Sequence, residues 1–188
     1  MVDWKPRYQV LWSIGSRREK LVYSTLLLYL PPSFQVKATG VGTMCKEMLP
    51  NYHSSVYDRF DFTIYHDGKP VAYLEVTGYY THRKHPAIMV HELRDGLRYN
   101  VLGKLWFAYV RDNSADVRFI SAVKLLKLYS EGVAYLTKLR KDEKPAIALP
   151  SKHWDYLSTF LNWLTSTALK PQKPIIPEKI LKVVKNGC

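Results

Sequence analysis

Phe60–Gly78 reads FDFTIYHDGKPVAYLEVTG, in which two apolar and aromatic runs flank the four residues HDGK at 66–69. An Asp-Gly pair between two such runs is the strongest short-range signal of a β-hairpin. The stretch therefore predicts antiparallel strands at 60–65 and 71–77. We expect this hairpin to lie at the centre of the fold.

Each strand of the predicted hairpin carries one acidic residue in an apolar setting, Asp61 in the first and Glu75 in the second. A buried carboxylate is costly unless it is paired, protonated or bound to a metal. Two carboxylates on adjacent strands repel each other unless a cation lies between them, and oxygen ligands suit a hard ion such as Mg²⁺ or Mn²⁺. Such an ion activates bound water and stabilises charge that develops on a phosphate. The pair therefore predicts a divalent-metal site.

The turn decides whether the two carboxylates share a face of the sheet. A two-residue turn at Asp67-Gly68 places Asp61 and Glu75 on opposite faces, because side chains alternate along a strand. A three-residue loop at His66–Gly68 pairs Asp61 with Tyr73 and gives Glu75 the same face. The metal hypothesis therefore requires the three-residue loop.

Hydrophobic periodicity predicts an α/β protein around this hairpin. The predicted helices are 16–30, 87–102, 123–139 and 154–169, the last capped by Ser151, and the further strands are 34–41, 105–110, 117–121 and 145–149. Ser16-Arg17-Arg18-Glu19 has the form of a capping box at the start of the first helix. We expect one domain over residues 1–169, with a central mixed sheet of about five strands flanked by helices. Residues 170–188, rich in Pro and Lys, are expected to form a basic C-terminal arm.

The charge of the chain indicates a polyanionic partner. Its 188 residues carry 28 Lys and Arg against 16 Asp and Glu, a formal net charge of +12. Such a surplus favours binding to DNA, because each phosphate that is neutralised releases condensed counterions. An acidic protein is a second class of partner that the charge would suit, and a charge that only keeps the protein in solution is the other alternative. A membrane surface is disfavoured as a partner, because no strongly amphipathic basic helix stands out.

The cysteines and the apolar run 21–30 bear on location. Only Cys45 and Cys188 are present, which favours a reducing, cytoplasmic environment over a disulfide framework. The apolar run ends at Pro31-Pro32 without a cleavage site and is too short to cross a bilayer, so we interpret it as a buried helix. Few Gln and Asn beside many Lys, Tyr and Leu favour a thermophilic source; a viral source is the alternative.

A basic loop follows the hairpin and is a candidate DNA contact. Tyr79 and Tyr80 are suited to stack on bases, and His82, Arg83 and Lys84 are suited to contact phosphates. A solvated loop without a ligand is the alternative. A zinc site is disfavoured, because no cysteine is near and the spacing matches no closed tetrahedral pattern.

The order of elements resembles the core of the PD-(D/E)xK nuclease superfamily, in the style of archaeal Holliday-junction resolvases. The resemblance covers about residues 13–110: a helix with Glu19, a strand, a hairpin with Asp61 and then Glu75, a helix and a strand. It implies that Asp61, Glu75 and the carbonyl of Val76 hold Mg²⁺ or Mn²⁺, with Glu19 assisting. A capping role alone is the other interpretation of Glu19. The resemblance implies an endonuclease for DNA, branched DNA included, that acts as a homodimer because cutting two strands needs two sites.

Two positions depart from the superfamily pattern: Phe60 replaces the Pro that precedes the motif Asp, which is a common change, and Thr77 is the serious departure. Thr77 stands where the family has a catalytic Lys, and a hydroxyl cannot supply the charge of an ammonium. Three interpretations stay open: a cation from elsewhere, with Arg83 and Lys84 the nearest candidates; catalysis by the metal alone; or a catalytically inactive nuclease fold that only binds DNA. The resulting candidate catalytic set is Glu19, Asp61, Glu75, Thr77 and Lys84.

Overall fold

The computed structural model describes residues 5–39, 60–81, 84–111, 115–139, 144–166 and 176–186. Within these ranges the helices are α1 (Lys5–Tyr29), α2 (Val90–Arg98), α3 (Ala122–Ser130), α4 (Leu157–Ser166) and α5 (Glu178–Asn186). The strands are β1 (Phe34–Ala38), β2 (Phe62–His66), β3 (Lys69–Thr77), β4 (Tyr79–Tyr80), β5 (Pro86–Met89), β6 (Leu105–Val110), β7 (Val117–Ser121), β8 (Tyr135–Lys138) and β9 (Pro145–Ala148). Among the described residues, no helix combines the length and apolar character that crossing a membrane requires.

A mixed sheet of five strands, in the order β1-β2-β3-β6-β7, forms the centre of the described structure. Neighbouring strands are antiparallel except β3 and β6, which run parallel with Thr77 opposite Tyr109. The predicted mixed sheet and its central hairpin, now β2 and β3, are confirmed. The described residues also form a second, antiparallel sheet in the order β4-β5-β9-β8, which the sequence did not predict.

Apolar layers cover both faces of the central sheet. On one face, α1 and α4 contribute Leu26 and Phe160 to the core. On the other face, α2 and α3 contribute Leu93 and Leu125, which belong to the same buried cluster as Phe107 of β6. Burying one such side chain stabilises the fold by about 1.5–3 kcal/mol. The two layers therefore hold β3 and β6 in the middle of the molecule.

The hairpin turn differs from the loop that the metal hypothesis required. It has two residues, Asp67 (φ 51°) and Gly68 (φ 72°), and it pairs His66 with Lys69. Two successive residues with positive φ are typical of a type I′ turn, whose twist matches that of the strands. The prediction of a three-residue loop was therefore wrong.

A β-bulge nevertheless brings the two hairpin acids to the same face. The register skips Val71, because Tyr65 pairs with Pro70 and Ile64 with Ala72. From there Phe62 pairs with Leu74, so the next residues along the two chains, Asp61 and Glu75, lie opposite each other. One extra residue in one strand thus reverses the effect of the short turn.

The first helix begins earlier than the capping-box pattern predicted. α1 already includes Lys5, and Ser16 lies buried in its middle, so residues 16–19 do not cap a helix. Pro6 is compatible with the first turn of a helix, where an N–H has no partner within the helix. Ser16 and Glu19 instead share the buried face of α1, as residues three apart do.

Two predicted helices are partly strands. The stretch 87–102 starts as β5 and becomes helical only at Val90, and the stretch 123–139 is helical to Ser130 and then continues as β8. Gly132 (φ 74°) has the left-handed conformation that commonly follows a helix end. Short apolar runs that are buried on all sides do not distinguish the helical period from the strand period.

The other predicted boundaries are close to the observed ones. Strands 105–110 and 117–121 are confirmed, 145–149 appears as β9, and 34–41 ends at Ala38. The last predicted helix, 154–169, starts at Leu157, and Ser151 lies in a 3₁₀ turn rather than at its cap. The chain is extended before α4 because Asp155 and Phe119 exchange backbone hydrogen bonds of 2.7 and 2.8 Å. Residues 167–169 lie outside the described part of the chain.

Part of the expected C-terminal arm packs on the domain. α5 lies beside α2, and Ile180 is buried in the core cluster that includes Leu93. The segment 176–186 therefore carries a docked helix. Residues 170–175 and 187–188 lie outside the described ranges, and the domain boundary at residue 169 stays a prediction.

Candidate active site

Three of the predicted site acids come together at one end of the central sheet: Glu19 from α1, Asp61 just before β2 and Glu75 from β3. The N–H of Asp61 donates to Oε2 of Glu75 at 3.4 Å, and Oδ2 of Asp61 accepts the N–H of Val76 at 2.8 Å. Glu19 and Asp61 are only 7 % and 9 % exposed, and Glu75 is half-buried. The hairpin and the first helix therefore build one acidic site.

Burial and mutual repulsion disfavour the charged forms of these carboxyls. Burial raises the pKa of Asp61 to about 7, the charge of Glu19 adds to the rise, and the N–H of Val76 opposes it. Burial likewise raises the pKa of Glu75 well above its usual range, with further repulsion from Asp61, Glu92 and Glu19. Such a group of carboxyls takes up either protons or a cation.

Glu92 is a fourth acid of the site, and the sequence patterns did not predict it. It lies in the first turn of α2 and is 8 % exposed. Burial raises the pKa of Glu92 to about 8, and the charges of Asp61 and Asp95 add to the rise. The N–H of Met89 donates to Oε2 of Glu92 at 3.1 Å, and this hydrogen bond opposes the rise. The sequence signal was a capping position three residues after Met89. That signal was not recognised because the helix was predicted to start at residue 87 and not at Val90.

Thr77 joins the two sheets. It is fully buried, and its hydroxyl donates to the carbonyl of Ala87 in β5 at 2.8 Å. Because alternate side chains of a strand share a face, Thr77 lies on the same face as Glu75. Its hydroxyl holds β5 against β3 at the position where the family resemblance implies a catalytic group.

The residues predicted to contact DNA are spread around β4 and the following turn. Lys84 is exposed, with a φ of 56°, and forms no salt bridge with another described residue. The ring of Tyr80 is partly buried and lies edge-on to Tyr109, with the ring centroids 5.6 Å apart. The backbone of Tyr79 pairs with that of Ala87. The side chain of Tyr79, together with His82 and Arg83, lies outside the described residues.

Comparison with known proteins assigns the chain to a family. Residues 14–161 match the family described as Viral/Archaeal nuclease. The chain belongs to this nuclease family. The match begins within α1, includes the whole hairpin and ends within α4, so it includes all four acids of the site. It confirms the nuclease resemblance that residues Glu19, Asp61 and Glu75 indicated.

Relatives of this nuclease come from viruses. It is 26 % identical over 169 residues to "Uncharacterized protein D-244" of Sulfolobus spindle-shape virus 1, over 75 % of this chain and 67 % of that protein. Its fold is similar to the solved structure of a nuclease from a fusselovirus, with a TM-score of 0.60 and 21 % identity over 80 % of this chain and 92 % of that one. The structural similarity confirms the predicted α/β fold, in which helices flank a mixed sheet of five strands.

The donor set of the nuclease fits a hard divalent cation. Within the described ranges, no three side chains of His, Cys, Asp or Glu lie so that together they could hold a metal ion. The arrangement at Asp61 and Glu75 is more open, because two carboxylates lie opposite each other at the end of the hairpin beside a strand backbone. Mg²⁺ commonly binds through one or two carboxylates and retains several water ligands. The raised pKa values of Asp61 and Glu75 indicate that a cation would relieve the repulsion within the site.

Proposed function

We propose that this nuclease is a divalent-metal-dependent endonuclease that hydrolyses phosphodiester bonds of DNA. The observation that carries the proposal is the convergence of Glu19, Asp61, Glu75 and Glu92 at one end of the central sheet. Clustered carboxylates repel one another and also repel phosphate, so a cation is needed before the site can accept a nucleic acid. The net charge of +12 supports DNA as the partner.

The proposed ligands for Mg²⁺ or Mn²⁺ are Asp61, Glu75 and the carbonyl of Val76. The N–H of Val76 is directed at Asp61, and in an extended strand the C=O of a residue points to the same side as its N–H. This supports the carbonyl as the third protein ligand. When bound, the cation supplies positive charge that offsets the carboxylates and the substrate phosphate.

The other acids of the site act around these ligands. The charge of Glu19, from α1, raises the pKa of Asp61, and the charge of Asp61 raises the pKa of Glu92, from α2. Carboxylates in such positions accept hydrogen bonds from water and orient it, which fixes the direction from which a nucleophile approaches. We propose this role for Glu19 and Glu92.

The resemblance to resolvases extends the proposal to substrate form and assembly. We propose branched DNA as the preferred substrate and a homodimer as the active form, since two strands are cut by two sites. Sedimentation of the purified chain tests the dimer. We further propose an intracellular site of action, where DNA is accessible.

A DNA-binding module without catalysis is the second candidate function, and the hydrogen bond of Thr77 within the protein favours it. The hydroxyl of Thr77 is bonded to Ala87 inside the protein, so the position of the family lysine offers no cation to a substrate. The charge surplus alone would still support binding.

Cleavage assays with the unmodified chain separate the two candidates. Supercoiled plasmid, linear duplex and a four-way junction are incubated with Mg²⁺, with Mn²⁺ and with EDTA. We expect nicking of plasmid or cutting of the junction with either metal and none in EDTA, with the junction cut faster than the duplex. Binding of all three DNAs without any cut would instead support the inactive module.

A further inference from the structure

Arg18 connects α1 to the end of β3 beside the acidic site. Its Nη1 donates to the carbonyl of Gly78 at 3.2 Å. In the chain, Gly78 directly follows Thr77, and Arg18 directly precedes Glu19. A guanidinium therefore lies at the same end of the sheet as the carboxylates, one residue beyond the position where the resemblance implies a lysine.

The missing side chain of Gly78 permits this approach. A Cβ at Gly78 would overlap Nη1 and Cζ of Arg18. Gly78 does not have the positive φ that Gly68 and Gly132 have, so its backbone conformation alone does not require glycine. An alanine at this position would displace the far end of a flexible side chain and leave the strand in place.

We propose that Arg18 binds a phosphate of the DNA at the acidic site and provides the cation that Thr77 does not. The inference rests on the proposed function. A guanidinium is charged at every working pH, and its planar fork of N–H donors matches the oxygens of a phosphate. The Gly78 carbonyl fixes the direction of the group, so the cation is held in place before the substrate arrives.

Holding α1 against β3 is the other role that the bond between Arg18 and Gly78 can have. A purely structural contact changes the stability of the fold. It does not change the number of phosphates that the protein neutralises, and it changes DNA cleavage only as far as it changes folding. Two experiments use these differences.

The first experiment measures DNA affinity without divalent metal, by anisotropy of a labelled duplex over a range of salt concentrations. Each phosphate contact contributes about 0.9 to the slope of log K against log salt. Arg18→Ala should lower the slope by about that amount. Arg17→Ala removes the same charge from an exposed neighbour and should leave the slope unchanged. The proposal would be overturned if Arg18→Ala had the same slope as the unmodified chain. It would also be overturned if Arg18→Ala and Arg17→Ala lowered the slope by the same amount.

The second experiment is a double-mutant cycle on cleavage with Mg²⁺. Arg18→Ala should slow cleavage by about 100-fold or more, the usual effect of losing a fixed donor to developing charge. Gly78→Ala should approach the same loss because it displaces the guanidinium. The double variant should be no slower than Arg18→Ala alone. If Gly78→Ala slows the Arg18→Ala variant as much as it slows the unmodified chain, the two residues act separately and the proposal is wrong.

Controls distinguish a failure of the proposed function from a failure of the inference about Arg18. Thermal unfolding shows whether each variant is folded. If Arg18→Ala does not fold, Arg18→Lys takes its place in both experiments. Arg18→Lys should leave the salt slope unchanged and slow cleavage about tenfold, because the planar fork of donors is lost. An unmodified chain that does not cut DNA contradicts the proposed function, and the salt slopes then still decide the role of Arg18. An unmodified chain that cuts, together with a fully active Arg18→Ala, contradicts the inference about Arg18 alone.

Discussion

Glu92 serves both the fold and the site. Its Oε2 accepts the N–H of Met89 at the start of α2, while its charge raises the pKa of Glu75. A neutral Gln can make the same capping bond, so the start of the helix does not require a charged residue. The charge of Glu92 is unfavourable in the metal-free protein and is useful to a site that holds a cation.

Protonation of the buried acids makes the stability of the metal-free protein depend on pH. Burial raises the pKa of Glu92 from 4.5 to about 8, so the folded protein keeps a proton that the unfolded chain releases. This contribution is complete below pH 4.5 and is lost as pH rises toward about 8. Asp61, whose pKa is raised to about 7, acts in the same direction. The charge of Glu19 adds to the rise at Asp61, and the charge of Asp95 adds to the rise at Glu92.

Urea unfolding in EDTA at about pH 5 and about pH 8 measures this effect. The free energy of unfolding should be lower at the higher pH. One unit of pKa corresponds to about 1.4 kcal/mol, and Glu92→Gln should reduce the pH-dependent loss by at least that amount. Glu131→Gln, on the surface after α3, should not reduce it. The same pH dependence in Glu92→Gln and the unmodified chain would show that Glu92 is not protonated in the folded protein.

Residue patterns predicted three of the four acids of the site. They did not predict the fourth, Glu92, and they did not predict a role for Arg18. Asp61 and Glu75 stand out because each is an acid inside an apolar strand. Glu92 could be placed only by knowing that α2 starts at Val90. Arg18 meets Gly78 across 60 residues of chain, and a contact of that range is set by the packing of α1 on the sheet, which leaves no local pattern.

The hairpin shows the same limit at the scale of elements. Its two-residue turn follows directly from Asp67-Gly68, whereas the bulge at Val71 has no signature in the sequence. Buried residues at Val71–Leu74 face both sides of β3, so an extra residue does not interrupt an alternating pattern. The metal hypothesis correctly required that Asp61 and Glu75 share a face of the sheet. The bulge that places them on the same face was not predicted.

The turn itself can be tested by Gly68→Ala. A Cβ at Gly68 meets no atom within 4 Å, so the cost comes only from holding alanine at a φ of 72°. That strain is about 1–2 kcal/mol. Gly132→Ala, at a φ of 74° and equally open, is the matched control and should lose a similar amount. Denaturant unfolding measures both; an unchanged stability of Gly68→Ala would contradict the type I′ turn.

At the scale of the whole molecule, the charge of the chain and the charge of the site are opposite in sign. The net charge of +12 favours binding to DNA, while the acids at the end of the sheet would repel the phosphate at the proposed site of cleavage. We therefore expect affinity and cleavage to depend on different residues. A substitution within the acidic site should separate them.

Paired measurement of cleavage and affinity for Glu75→Gln tests the central claim most directly. Supercoiled plasmid is cut with Mg²⁺ or Mn²⁺, and binding of a labelled duplex is followed in EDTA, with Glu131→Gln as the control. We predict that Glu75→Gln lowers cleavage by about 100-fold or more, because a metal ligand is lost. Binding should hold or tighten, because one negative charge is removed from the surface that faces DNA. Equal cleavage by Glu75→Gln and the unmodified chain would contradict the assignment of this site.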